Sequence, residues 1–158
     1  MISNKRDLKQ FSQKAEYAVS SLRHRGPDGS GISVNTHAII GHTRLSIIDL
    51  EQGNQPMKSM DGNLIITFNG EIYNYAELSK ELQNKGYRFS TNSDTEVILA
   101  AFQHYGYDCL NLFRGMFSFV IYNIKTGELF AARDRYGIKP FFYLLDIDKD
   151  LFIFSSEI

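Results

Sequence analysis

The sequence predicts an α+β fold on three observations. A stretch near the N-terminus carries apolar residues at helical spacing; two internal segments open on capping residues and continue with helical apolar stripes; and short β-branched or aromatic runs, cut by turn dipeptides, fill the rest. Together these give apolar-faced helices and about eight or more strands around one core.

Taken in order, residues 5–22 set Leu8, Phe11, Ala15, Ala18 and Leu22 three and four apart, the period of a helix with one buried face, with Ser3 or Asn4 available as its cap. Residues 32–34, 38–40 and 45–48 read as three short strands, because β-branched residues cluster between glycine and polar breaks. Residues 51–63, with Gly53, Pro56 and the pair Asp61-Gly62, read as a long loop ending in a hairpin turn before a strand at 64–68. Asn74 with Glu77, and Ser93 with Glu96, have the spacing of capping boxes. The first opens a helix carrying Leu78 and Leu82 that stops at Gly86; the second opens one carrying Val97, Ile98, Ala101 and Phe102. After Gly115, runs at 116–124, 129–132, 141–145 and 151–154, with Thr126-Gly127 between the first two, read as a β-meander.

The 158 residues, 43% of them hydrophobic, suit one domain, 1–158. Seventeen basic against 18 acidic residues leave a net charge of −1 without a basic stripe, which disfavours nucleic acid and anionic membranes as partners. No apolar run is long enough to span a bilayer and the first residues lack a signal-peptide core, so a cytoplasmic location is expected. The single cysteine, Cys109, excludes an intrachain disulfide and any CxxC motif; with apolar neighbours it reads as a buried structural thiol. His24, His37, His42 and His104 have no ligand spacing, so no metal is expected. The chain ends at Ser155-Ser156-Glu157-Ile158 directly after a strand, which reads as a cut inside a longer polypeptide.

Four polar clusters at element ends are candidates for chemistry. His24-Arg25-Gly26-Pro27-Asp28-Gly29 reads either as a helix stop and turn or as part of a site. Arg44, just before the strand at 45–48, offers a planar fork for a carboxylate or is a solvated strand-end cation. Asn69-Gly70 is first a turn signal, but an Asn amide beside a glycine N–H also supplies two donors for a developing oxyanion, and Glu71 beside them can hold an ammonium. Asp94, in the first turn of its helix, is either a second such acid or a partner of the helix dipole. A guanidinium, two acids and a donor pair suit an α-amino acid with a side-chain carbonyl.

Seven runs, HRGPDGSG (24–31), GHTRLSIIDL (41–50), GNQPM (53–57), FNGEIYNY (68–75), SDTEVIL (93–99), RGMFSF (114–119) and ARDRYGIKPFFY (132–143), resemble in family order the class II glutamine amidotransferase domain of glutamine-dependent asparagine synthetases. The resemblance implies an N-terminal-nucleophile hydrolase fold, a four-layer αββα sandwich of two antiparallel sheets between helical layers. It also implies roles. Arg44 binds the α-carboxylate of L-glutamine while Leu45, Ser46, Ile47 and Ile48 shape the pocket; Glu71 and Asp94 hold the α-ammonium; Asn69 and the Gly70 N–H form the oxyanion hole. In that family an N-terminal cysteine attacks the glutamine amide, and the ammonia passes to a synthetase domain that uses ATP and magnesium to turn aspartate into asparagine.

The family begins Met-Cys-Gly-Ile, whereas this chain runs from Met1-Ile2 into Ser3-Asn4, as though the cysteine and most of the first strand were deleted or an internal start chosen. Impaired catalysis, unpaired strand edges and weak solubility are the corresponding expectations. No glycine-rich nucleotide loop is present, so no cofactor is expected in this chain itself; ATP and magnesium belong to the synthetase domain. Three readings stand: the amidotransferase domain of an asparagine synthetase, a nucleophile-free amino-acid-binding or scaffolding domain, and an amidotransferase serving another acceptor such as a surface-polysaccharide sugar. The oligomeric state, a homodimer included, is left open.

Overall fold

A computed structural model describes residues 1–3, 5–45 and 53–158. Its first helix, α1 (Ser12–Ser21), follows a 3-10 turn at Lys9–Phe11 and starts later than the apolar spacing predicts. The preceding amides have tertiary acceptors: Lys5 N donates to Asp150 Oδ2 (2.8 Å), Arg6 N to Ser3 Oγ (3.1 Å) and Leu8 N to Thr36 O (2.7 Å). Ser3 therefore organises the approach to α1 and does not cap it, and Leu8 is buried outside the helix.

The strands β1 (Gly29–Val34) and β2 (Ile39–Arg44) form an antiparallel hairpin. Arg44 thus closes a strand and does not precede one, while the strand expected at 45–48 lies, apart from Leu45, outside the described residues. The loop expected at 51–63 contains a two-residue strand, β3 (Met57–Lys58), and turns at Gly62, whose φ of 71° and N–H to Ser59 O (2.8 Å) fit the predicted tight turn. Next comes β4 (Leu64–Ile72), paired over its whole length with β5 (Gly115–Asn123), including Asn69↔Ser118, Gly70↔Phe117 and Glu71↔Met116. The Asn69-Gly70 pair is therefore strand and not turn: nine rungs with β5 outweigh a local turn preference.

Helices α2 (Tyr75–Asn84) and α3 (Asp94–Tyr105) lie where the apolar stripes place them, but neither closes a capping box. Asn74 is drawn away from α2, donating through Nδ2 to Leu112 O and accepting from Arg114 N, both at 3.0 Å. Ser93 does cap α3, accepting from Thr95 N at 3.2 Å, whereas the Glu96 carboxylate accepts from the backbone of Ser90 and Thr91 and from the Thr91 hydroxyl. The strands β6 (Leu129–Arg133), β7 (Phe142–Asp146) and β8 (Leu151–Ser155) complete the chain. The predicted meander is interrupted: β5 and β6 pair in one sheet, β7 and β8 in another. Asp134 makes the crossing, accepting from the amides of Phe117, Tyr136, Ile138 and Lys139, which turn the chain out of the first sheet.

Sheet I is β3-β4-β5-β6. Facing it lie the hairpins β1-β2 and β7-β8, joined by Ile2, which bridges Ala38 on one side and Phe152 on the other. Sheet I buries Leu64, Ile66, Phe68 and Ile72 against Leu78 and Leu82 of α2 and Val97, Ile98 and Ala101 of α3. On its other face Ile65 and Tyr122 pack with Ile2, Ala38 and Ile40 of the second sheet. Helix α1 covers the outer side of β2, where a Cβ on Gly41 would come within 2.2 Å of Val19 Cγ2. The order helix, sheet, sheet, helix follows from strand alternation, since successive side chains serve opposite faces.

Candidate functional site

Alternation along β2 points Ile40, His42 and Arg44 toward sheet I, and alternation along β4 points Ile65, Thr67, Asn69 and Glu71 back at them. The contact between His42 Nδ1 and Thr67 Oγ1 (3.2 Å) and that from Thr67 Oγ1 to Gly41 O (3.5 Å) fix this face-to-face register. Arg44 is 9% exposed, and its Nη1 donates to Asn54 Oδ1 at 3.3 Å. The turn at 24–29 supports it from behind: Asp28 N donates to Arg44 O (3.0 Å), and a Cβ on Gly26 would stand 2.4 Å from Thr43 C. That cluster is thus a turn that also shapes the arginine's backbone, and the run 53–55, unremarked by residue-type reasoning, supplies its side-chain partner. Only the motif run GNQPM hinted at this.

Two donors, Asn69 and the Gly70 backbone, sit one residue apart on β4, and Glu71 follows. Gly70 has φ 150° and lies against Met116, whose carbonyl oxygen would be 2.1 Å from an added Cβ. The glycine is required by close strand approach as well as by its torsion.

Asp94 opens α3, is 5% exposed and accepts from Ile72 N through Oδ2 at 3.1 Å. Burial pushes its carboxyl up to about 6 from 3.8, the Glu71 charge adds to the rise, and the amides of Ile72 and Thr95 oppose it. Burial first, and then the Arg44 charge, pull His42 down to about 4, so it stays neutral near pH 7 and adds no charge beside Arg44. A cation binds Asp94 in its ionised form. Affinity for an α-ammonium ligand is therefore expected to rise with pH through about 6 and to level off above it, falling about tenfold per unit well below that value. Calorimetric titrations from about pH 5 to about pH 8 check this; affinity independent of pH would remove Asp94 from an ammonium site. For folding the sign reverses: the raised carboxyl stabilises the fold below 3.8, and that contribution is lost as pH climbs through about 6.

Arg44, Leu45, Asn69, Gly70, Glu71 and Asp94 all line one cavity of about 580 Å³, which runs on between the sheets toward Met1 and α1. Ser46, Ile47 and Ile48 lie outside the described residues. Cys109 is elsewhere, fully buried behind sheet I in a 3-10 turn at Gly106–Asn111, where burial pushes its thiol up to about 12. Such a thiol carries almost no thiolate at neutral pH and has no access to the cavity. Among the described residues no group of three His, Cys, Asp or Glu is placed to hold a metal ion, and no helix is long and apolar enough to cross a membrane.

Two antiparallel sheets flanked by helices have the fold of the N-terminal-nucleophile hydrolases. A glutamine phosphoribosylpyrophosphate amidotransferase from B. subtilis superposes with a TM-score of 0.73 at 26% identity, over 89% of this chain and 38% of that one. The chain belongs to the glutamine amidotransferase domain family, whose model matches residues 1–158. Among its relatives, the Bacillus subtilis protein named asparagine synthetase [glutamine-hydrolyzing] 1 is 45% identical over 99% of this chain and 25% of its own length. A probable asparagine synthetase [glutamine-hydrolyzing] of Schizosaccharomyces pombe is 42% identical over 96% of the chain and 27% of its length; an amidase, chry2, of Gibberella zeae is 40% identical over 90% and 22%. The chain spans about a quarter of the length of these relatives.

Proposed function

We propose that the cavity binds free L-glutamine by both charged ends and that the domain serves as the ammonia source of an asparagine-synthetase-type enzyme. In this reading Arg44 takes the α-carboxylate, Glu71 and Asp94 take the α-ammonium, and Leu45 borders the same cavity. The Asn69 amide and the Gly70 N–H then donate to the side-chain carbonyl oxygen and stabilise charge developing on it, each such donor being worth about 3 to 4 kcal/mol in acyl-transfer sites. What supports the reading is that the Arg44 guanidinium, the Glu71 and Asp94 carboxylates and the Asn69 and Gly70 donors border one cavity, together with membership of the family. The synthetase domain, with its ATP, magnesium and aspartate, is assigned to the parent polypeptide, and the present chain uses no cofactor.

The attacking thiol is a separate matter. Cys109 is the only cysteine, and it is buried away from the cavity with its thiol raised to about 12. Within these 158 residues the one thiol, Cys109, is not placed to attack an amide held in the cavity. Incubation with L-glutamine is expected to yield calorimetric binding and no ammonia above a heat-inactivated control. Absence of binding would sink the glutamine assignment, whereas ammonia release would sink only the claim of inactivity.

A further inference from the structure

The edge of β4 beside the site is finished in an unusual way. Strand β3 pairs with β4 at Met57↔Ile66 and Lys58↔Ile65, and the same register carried two residues further would set Gln55 opposite Phe68. At that rung the side-chain amide of Gln55 takes the place of a backbone peptide: Phe68 N donates to Gln55 Oε1 at 2.6 Å, and Gln55 Nε2 donates to Phe68 O at 3.1 Å. The same Nε2 reaches Thr95 Oγ1 at 3.3 Å, one residue beyond Asp94.

Hydrogen-bonding groups alternate between the two edges of a strand. Leu64 N meets Ser59 Oγ (2.9 Å) on the β3 side, and Ile72 N meets Asp94 Oδ2 (3.1 Å), while Tyr73 N turns to Arg114 O on the β5 side. The N–H groups of Phe68, Gly70 and Ile72 therefore leave the same edge. Gln55 closes the rung before Gly70 and Asp94 closes the rung after it. A backbone strand at Phe68 would continue along the edge and cover Gly70 as well; a side-chain amide ends the ladder there and leaves the Gly70 N–H aimed into the cavity that Gly70 lines.

We propose that Gln55 is a positioning residue that holds the Asn69-Gly70 donor pair in register with Asp94, and that it thereby sets the selectivity for an amino acid bearing a side-chain carbonyl over one that offers only the two charged ends. The inference rests on the glutamine reading above and names which residue makes that reading selective. Glutamine and the carbonyl-free L-2-aminopentanoate share both charged ends and differ in the group the donors meet.

The test uses the 158-residue chain with Gln55→Met, which keeps the side chain's length without its hydrogen bonds, and Gln55→Glu, which keeps an acceptor for Phe68 N but sets a carboxylate against Phe68 O. Calorimetry with the two ligands should show glutamine affinity down about tenfold in either variant, with 2-aminopentanoate changed by no more than about twofold. Equal loss for both ligands, or undiminished glutamine affinity, overturns the proposal. Amide exchange followed by NMR without ligand gives an independent answer: the Phe68 N–H should be protected in the parent chain and exchange faster in Gln55→Met, which removes its acceptor. Unchanged protection at Phe68 in that variant overturns the positioning role even if glutamine binds. Failure of the parent chain to bind glutamine would strike the underlying reading and the selectivity claim together, leaving the exchange experiment to decide the geometry.

Discussion

Arg44→Ala is expected to weaken L-glutamine binding by about a hundredfold or more, the largest effect of any single side chain in the cavity. The guanidinium is 9% exposed and oriented by Asn54, so its charge sits where solvent screens it poorly. A carboxylate entering that end would meet a planar fork already held in place, and its removal leaves the ligand's charge buried without a counter-ion. Arg44→Lys keeps the charge and loses the fork, and is expected to fall between the two, at about a tenfold loss. Titration calorimetry on the three proteins checks the order. Equal affinity in the alanine variant and the parent chain would show that the carboxylate is held elsewhere.

Gly70→Ala is expected to destabilise the fold by about 3 kcal/mol or more, read as a lowered midpoint in urea with an unchanged slope. Two costs add. A φ of 150° is a backbone state that L side chains rarely adopt, and the new methyl would meet Met116 O at 2.1 Å and Phe117 Cα at 2.7 Å. Relief requires β5 to move off β4 at the rung that carries the donor pair, so glutamine binding should fail along with stability. Gly62→Ala is the control. Its φ of 71° is also positive but no atom lies within 4 Å of an added Cβ, so it should cost only about 1 kcal/mol.

Much of the fold was legible because local pattern and tertiary demand agreed. The helices α2 and α3 lie under Leu78, Leu82, Val97, Ile98 and Ala101, residues that the 3.6 period singles out and that sheet I then buries. The strand runs at 64–68, 129–132 and 151–154 likewise became β4, β6 and β8, with ends shifted by one to four residues. Departures arose where a distant partner competed with a local preference. Asn69-Gly70 reads as a turn, yet it is held straight by β5. Asn74 has the spacing of a cap but bonds Leu112 and Arg114, nearly 40 residues on. Neither partner has any signature in the local window.

The site divides in the same way. Arg44, Asn69, Gly70, Glu71 and Asp94 drew attention by residue type and position at element ends, while Gln55 and Asn54 did not, because an amide in a loop has no periodicity or charge pattern to mark it. Residue order alone determined the α+β class, the helical stripes, the chemistry available to a ligand with two charged ends and, through one cysteine, the supply of thiol. Only the tertiary structure decided that β2 and β4 face each other from different sheets, that Asp94 titrates near 6, that Cys109 is sealed in the core and that a glutamine amide ends the β3 ladder one rung short of Gly70. The physical reason is range: propensity and patterning act over a few residues, whereas burial, charge coupling and strand register depend on groups that the chain brings together from far apart.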